Sequence, residues 1–149
     1  ITQVVNATDR NDWVYLDLET GAVFSLNNPE DSLDWDLGLR RFVLQINSPL
    51  NGPGDVGVQL NDIDSFDDFD TVPSEGFLQD SEDTDDDGVP EYVFNEWFDY
   101  EIEGHILTPK PHFYVVRNRN QRFFKLRFED YYNSAGTPAM IRLTWTEIF

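Results

Sequence analysis

Alternation of apolar and polar residues is clearest in the last third of the chain. Residues 124–128 read F-K-L-R-F, so cations alternate with apolar side chains. A period of two predicts a β-strand with one buried and one solvent-facing side. Residues 113–117 and 140–149 have similar patterns, and the first of them is joined to 124–128 by a loop near Arg119-Asn120. The last third therefore predicts an antiparallel sheet.

Strand patterns also dominate the first third. Residues 13–26 predict a hairpin whose turn contains Gly21, and residues 33–46 predict one long strand that enters the core. The Asn-Gly-Pro-Gly run at 51–54 predicts a turn. A three-residue apolar spacing favours one short helical turn on Ile63, Phe66 and Phe69. Together these patterns predict a single all-β domain of antiparallel strands over residues 1–149, with few or short helices and an acidic insertion around 80–96.

The net charge of the chain argues against some classes of binding partner. The 149 residues carry a formal net charge of −19, which argues against nucleic acid because binding phosphates requires a cationic surface. Residues 50–104 contain eighteen acids and no base, whereas 105–149 contain seven bases. We therefore expect the basic strands of the last third to lie near the acidic middle.

The absence of cysteine and the hydropathy of the chain exclude further kinds of site and structure. The chain has no cysteine, so disulfides, thiolate chemistry and Cys-ligated metals are excluded. No apolar run approaches the roughly 18 residues that a membrane-spanning helix needs. A start at Ile1 fits a processed export product whose leader lies upstream, although a trimmed chain would look the same.

An acidic stretch between Asp80 and Glu91 predicts a calcium loop. Its carboxylates alternate and a glycine follows directly, as in loops that fold around one hard cation. Over about ten residues it resembles the Asp-rich calcium repeats of thrombospondin type 3 modules. The expected ligands are Asp83, Asp85, Asp87, the Val89 carbonyl, Glu91 and Glu96. Phe94 stands where such a loop usually has a bidentate glutamate, so Glu96, two residues later, is expected to supply that ligand. The alternative is a solvated acidic loop without an ion.

Candidate residues for other chemistry are few. His105 and His112 are the only histidines, and their spacing is no zinc signature, so spacing alone favours surface or packed residues. No nucleophile motif or metal-hydrolase spacing occurs, which predicts that the protein is not an enzyme. The four tryptophans are expected to lie in the core.

Several segments together resemble one family. They are W-V-Y-L-D-L-E-T-G from residue 13, D-W-D-L-G-L-R-R-F from 34, I-L-T-P-K from 106, Y-V-V-R from 114, F-K-L from 124 and Y-Y-N from 131. In this order they resemble the HmuY family of haem-binding proteins. The resemblance implies an all-β fold, export to the outer membrane, periplasm or beyond, and capture of haem or a related tetrapyrrole.

The resemblance also implies axial iron ligands, because characterised members hold the iron by His or Met side chains from separate loops. His105 is the first expected ligand, with His112 or Met140 as the second. Basic surroundings for the haem carboxylates are expected from Arg117, Arg119 and Arg122.

Two other functions remain open at this point. One is a calcium-stabilised extracellular β module that assembles with itself or a surface partner and binds no haem, because exposed strand edges can pair with a neighbouring chain. The other is an acidic carbohydrate-binding module with Trp and Tyr platforms.

Overall fold

The computed structural model describes residues 1–62 and 65–149, and of Asp62 only the backbone. These residues contain the following strands in chain order: β1 (Thr2–Asn6), β2 (Val14–Leu16), β3 (Val23–Phe24), β4 (Leu37–Arg40), β5 (Val43–Ile46), β6 (Gly57–Asp62), β7 (Phe98–Glu101), β8 (Ile106–Pro109), β9 (His112–Arg117), β10 (Phe123–Tyr132) and β11 (Pro138–Ile148). The one helical element among them is a 3₁₀ turn at Pro29–Asp31. The predicted all-β class is confirmed.

The strands form three antiparallel sheets. The largest has the order β1-β11-β10-β9-β6, the second has the order β3-β2-β4-β5, and β7 pairs with β8 in a separate hairpin. In the large sheet Leu126 lies opposite both Trp145 and Tyr114, so the three predicted C-terminal strands are neighbours. The predicted hairpin in residues 13–26 is also present, with Tyr15 opposite Phe24.

The prediction of one long strand over residues 33–46 is wrong. The chain forms β4 and β5 there, joined by the two-residue turn Arg41-Phe42. Arg41 has φ +55°, in the left-handed region that non-glycine residues rarely adopt. The Arg41 backbone N–H donates to the Ala7 carbonyl at 2.7 Å, so a contact with a distant segment supports the turn.

The predicted helical turn lies partly outside the described residues, because Ile63 is not among them. Its described part is a single turn, in which the Phe69 N–H donates to the Ser65 carbonyl at 2.8 Å. The rings of Phe66 and Phe69 both pack on Phe113 of β9, at 5.8 and 5.0 Å between ring centroids.

The main core lies between the two larger sheets. It joins buried residues of the small sheet, such as Leu37, to buried residues of the large one, such as Leu126. Trp35, Trp97 and Trp145 are all at most 1% exposed, so the prediction that the tryptophans are core residues is confirmed for these three. It is wrong for Trp13, which is only partly buried and carries Arg40 over its ring.

The cations of the last third contact both the first third and the acidic middle. Among the described residues, Arg119 forms ion pairs with Asp17 and Asp36, at 3.1 and 2.7 Å. Arg122 pairs with Glu19 at 3.1 Å and also with Glu147. The ion pairs therefore join the last third mainly to the first third, because β2 and β4 lie against the β9–β10 turn. The strands of the last third also lie against the acidic middle, as charge predicts, because β9 pairs with β6. Lys125 donates to the Phe66 and Asp67 carbonyls there, and Arg117 donates to the Asp55 carbonyl at 3.3 Å.

Candidate functional site

A cleft of about 940 Å³ lies between the β4–β5 turn, the β7–β8 hairpin and the end of β10. Its volume is in the range of sites that enclose a cofactor-sized ligand, roughly 300–1,000 Å³. Its lining combines cations, aromatic rings and one imidazole, and includes Arg10, Arg40, Arg41, Phe42, Phe98, Tyr100, His105, Leu107, Tyr131 and Tyr132. We call this cavity the large cleft.

The β7–β8 hairpin carries the imidazole of the large cleft. Glu101 pairs with Ile106, so residues 102–105 form the turn, and His105 closes it with φ +53°. The hairpin is fixed below its tip, because Leu107 is buried and its N–H donates to the Tyr132 hydroxyl at 3.0 Å. The hairpin therefore presents His105 at an exposed tip over an anchored base.

The His105 side chain has a partner within the same hairpin. The Tyr100 hydroxyl and His105 Nδ1 are 2.8 Å apart, and their ring centroids are 6.3 Å apart. This hydrogen bond engages one ring nitrogen, so Nε2 is the nitrogen that remains available to a ligand.

The three arginines of the large cleft form no ion pair within the described residues, although the chain has 29 acids. Arg40 lies over the Trp13 ring, 4.5 Å from its centroid. Arg41 donates from Nη1 to the Thr8 carbonyl at 3.1 Å. Burial raises the pKa of Tyr131, and the nearby Arg41 and Arg10 oppose that rise. The large cleft is therefore locally cationic in a strongly acidic protein.

The other predicted haem residues lie elsewhere. His112 lines a separate cavity of about 250 Å³ with Lys110 and Arg127, and Met140 lies in β11 opposite Asn6. Of the three predicted iron ligands, the structure thus places only His105 in the large cleft.

The predicted basic surroundings also differ. Arg119 and Arg122 belong to the ion pairs above, and Arg117 lies over the Phe77 ring. None of these three lines the large cleft, whose cations come from the first third of the chain instead.

The acidic loop gathers four of its predicted ligands. Asp83, Asp85, Asp87 and Glu91 each offer a carboxylate oxygen, and these oxygens all lie within 4.8 Å of one another. Burial and the neighbouring Asp85 carboxylate raise the pKa of Glu91, as expected where like charges converge. Glu96 is not part of this cluster in the described residues.

The base of the acidic loop is closed by backbone and side-chain bonds. Ser81 and Glu91 exchange two backbone hydrogen bonds, of 3.0 and 2.9 Å. Asp80 is buried and accepts hydrogen bonds from the Ile46 N–H, the Val93 N–H and the Asn51 amide, all at 2.8–2.9 Å. Burial raises the pKa of Asp80 to about 6. Asp80 therefore joins both ends of the acidic loop to β5.

The acidic loop also lies beside the large cleft. A cavity of about 400 Å³ is lined by residues 87–90 of the loop together with Arg40, Phe42, Val43 and Phe98. The last four residues also line the large cleft, so the two cavities adjoin.

Sequence reasoning did not predict Arg10, Arg40, Arg41 or Tyr100 as site residues. One signal was available, because these arginines are the only bases in the first 104 residues. Tyr100 carries no comparable signal, since only the hairpin register places it against His105.

Comparison with protein families identifies the chain. The family model described as HmuY protein matches residues 9–145. The chain belongs to the HmuY family. This confirms the resemblance that the sequence motifs carry, and the HmuY match includes the acidic segment between them.

Solved structures share the HmuY fold at low sequence identity. The apo HmuY analog TFO of Tannerella forsythia is 15% identical, with a TM-score of 0.78 over 99% of this chain and 95% of that one. A candidate HmuY-like haem-binding protein of Bacteroides vulgatus is 18% identical, with a TM-score of 0.71 over 97% and 89%. A candidate lipoprotein of Bacteroides fragilis is 20% identical, with a TM-score of 0.71 over 97% and 88%. A search of curated proteins finds no significant match.

In the described part of this HmuY chain, no helix is both long and apolar enough to cross a bilayer.

Proposed function

We propose that this HmuY-family protein captures haem or a related tetrapyrrole in the large cleft, as a binding protein rather than an enzyme. The observation that carries the proposal is that one imidazole and three arginines line the same cleft, and that no acid of the described residues forms an ion pair with these arginines. The Bacteroides vulgatus relative described as haem-binding supports the same function.

The residues of the large cleft fit the parts of a haem molecule. Its two carboxylates require cations, which Arg10, Arg40 and Arg41 supply, and guanidinium groups bind carboxylates through paired hydrogen bonds. Its porphyrin face requires apolar and aromatic walls, which Phe42 and Phe98 supply. Bound haem brings an iron ion with axial positions for nitrogen or sulfur ligands. His105 is the residue that would occupy one of them.

Carboxylate recognition can be tested by comparing haemin with its dimethyl ester, in which both carboxylates are capped. We expect a Soret shift on adding haemin, and weaker binding of the ester because the arginines lose their charge-assisted partners. Titrations followed by absorbance measure both affinities. Equal affinities would show that the arginines do not bind the carboxylates, and no band shift with either ligand would sink the haem proposal and favour a surface module without a cofactor.

We also propose that the protein is exported and acts in the periplasm, at the outer membrane or outside the cell. Support comes from the lipoprotein description of the Bacteroides fragilis relative.

The acidic loop is proposed to hold one calcium ion with a structural role. Four carboxylate oxygens within 4.8 Å of one another match the preference of this cation for several oxygen ligands. The Val89 carbonyl and Glu96 remain predicted ligands. The ion would offset repulsion among carboxylates that otherwise destabilises the compact loop.

Removing calcium is expected to destabilise the protein, because an ion that binds only the folded state raises the free energy of unfolding. At a free calcium concentration about 100 times the dissociation constant the gain is about 2.7 kcal/mol. Thermal melting with calcium and with excess chelator measures it. The matched control is Asp85→Asn/Asp87→Asn, whose melting temperature should not respond to the chelator. An unchanged midpoint for the unaltered protein would contradict the calcium proposal.

A further inference from the structure

We propose that Tyr100 positions His105 for iron binding, by accepting a hydrogen bond from Nδ1–H and thereby keeping Nε2 free of a proton. The inference rests on the proposed function of the large cleft and names a residue that acts through the ligand rather than on the haem. Its starting point is the distance of 2.8 Å between the Tyr100 hydroxyl and His105 Nδ1.

The tautomer of the imidazole decides whether His105 can bind a metal. A neutral imidazole carries one proton, and the nitrogen that binds a metal must be the one without it. With Nδ1 held against the Tyr100 oxygen, coordination through Nε2 requires the proton to sit on Nδ1 and point at that oxygen. Histidine ligands in metal sites almost always donate their other N–H in this way, which fixes the ring and raises its basicity.

The Tyr100 hydroxyl oxygen can accept the hydrogen bond from His105 because its own O–H can donate to another partner. Tyr100 is 52% exposed, so its O–H can turn to solvent when the oxygen accepts from His105. Within the described residues the Tyr100 hydroxyl forms no hydrogen bond other than the one to His105. The contact is thus available for setting the tautomer and is not shared with a structural role.

The register of the hairpin makes the contact reproducible. Tyr100 lies in β7 opposite Leu107, and His105 holds the positive φ that ends the turn. A second phenol fixes the other end of the same segment, because the Tyr132 hydroxyl binds the Leu107 N–H and lies 3.5 Å from the His105 carbonyl. The backbone at His105 is therefore held by Tyr132 while the ring is held by Tyr100.

The test compares Tyr100→Phe with the unaltered protein, using ferric haem and metal-free protoporphyrin as two separate probes. The substitution keeps the ring in the cleft and removes only the oxygen. We expect ferric haem affinity to fall by about 10–100-fold, the usual cost of losing such a supporting partner. Affinity for the metal-free porphyrin should not change, because that ligand forms no axial bond. The melting temperature of the ligand-free protein should also stay the same.

The matched control is Tyr114→Phe, which removes a hydroxyl from a residue of β9 outside the large cleft and should leave both affinities unchanged. Equal ferric haem affinity in Tyr100→Phe would overturn the inference, as would an equal loss with both probes, which means that Tyr100 only lines the cleft. If Tyr100→Phe abolishes haem binding while His105→Ala retains it, Tyr100 is itself the iron ligand and the inference is wrong. Failure of the unaltered protein to bind either probe would instead sink the proposed function, and this inference with it.

Discussion

Replacing His105 with alanine is expected to remove the axial bond to haem and to cause the largest loss of affinity of any change in the large cleft. The loss should exceed the roughly 10–100-fold that follows from removing a supporting partner, since the ligand itself is gone. The Soret band should then resemble that of haemin held only by its porphyrin face and carboxylates. Titration of the variant with haemin, followed by absorbance, measures both effects.

His112→Ala is the matched control, because His112 lines a different cavity. We expect it to bind haemin as the unaltered protein does, and Met140→Ala likewise. A loss in either variant equal to that of His105→Ala would show that the substituted residue reaches the iron. That would require movement on binding, either of the β7–β8 hairpin or of the strand that carries the residue, which is β9 for His112 and β11 for Met140. If His105→Ala binds haemin normally, His105 is not the ligand and the proposed site is wrong.

The strands of this protein are predictable where the side-chain alternation is local and uninterrupted. The structure confirms both β10 and β11, and in β11 alternate residues are buried over most of the strand. In β10 the predicted solvent-facing side is wrong at Lys125, which is buried because the Phe66 segment covers it. The turn between β4 and β5 is different, because Arg41 and Phe42 are not residues that turns prefer. The hydrogen bond from Arg41 to Ala7 helps to stabilise it, and no local sequence pattern encodes a contact between residues so far apart.

The acidic loop and the large cleft also differ in how far the sequence predicts them. The carboxylates of the acidic loop are neighbours in sequence, so their spacing alone predicts that they converge, and the four carboxylates of residues 83, 85, 87 and 91 do so. The large cleft instead joins Arg10, the β4–β5 turn and the β7–β8 hairpin. Family resemblance pointed to His105, but it gave no information on which arginines share its cavity. Two of the arginines expected to surround the haem carboxylates, Arg119 and Arg122, instead form ion pairs with acids of the first third, namely Asp17, Asp36 and Glu19.

The position of the acidic loop beside the large cleft links calcium binding to haem binding. Residues 87–90 line the cavity that adjoins the large cleft, and Phe42 and Phe98 belong to both cavities. The same chelator that tests stability can therefore be used in haemin titrations. Because the loop wall and the cleft share these rings, disorder in the loop would be expected to weaken haem binding as well.

Replacing Arg119 with methionine is expected to destabilise the fold by about 3–5 kcal/mol, the usual cost of leaving a buried charge without its partner. Asp36 is fully buried, and Arg119 Nη1 lies 2.7 Å from its Oδ2. Burial already raises the pKa of Asp36, against hydrogen bonds from the Leu18 N–H and Arg119. Removing the cation raises it further. Urea unfolding of the variant at neutral pH measures the loss in free energy.

The pH dependence of the free energy of unfolding distinguishes an unpaired Asp36 charge from a loss of packing at residue 119. In Arg119→Met, folded Asp36 binds a proton more readily than unfolded Asp36. The free energy of unfolding therefore falls as pH rises from the pKa of unfolded Asp36 through the higher pKa of folded Asp36. The destabilisation should therefore be greatest at neutral pH and shrink as pH falls. A loss that is independent of pH would contradict an unpaired Asp36 as its cause. Adding Asp36→Asn should restore part of the stability, because it removes the charge and keeps an acceptor for the Leu18 N–H.

The matched control is Arg127→Met, because Arg127 pairs with Glu129 at 2.7 Å where both side chains are partly exposed. Exposed ion pairs contribute about 1 kcal/mol or less, since water screens the charges. The free energy of unfolding should thus fall far less than in Arg119→Met. The large cleft does not contain Arg119, so haemin affinity per folded molecule should be the same in both variants. A loss of haemin affinity in Arg119→Met would show that the Arg119 ion pairs also hold the cleft in shape, through β4, which ends at Arg40, and the turn after it, which contains Arg41.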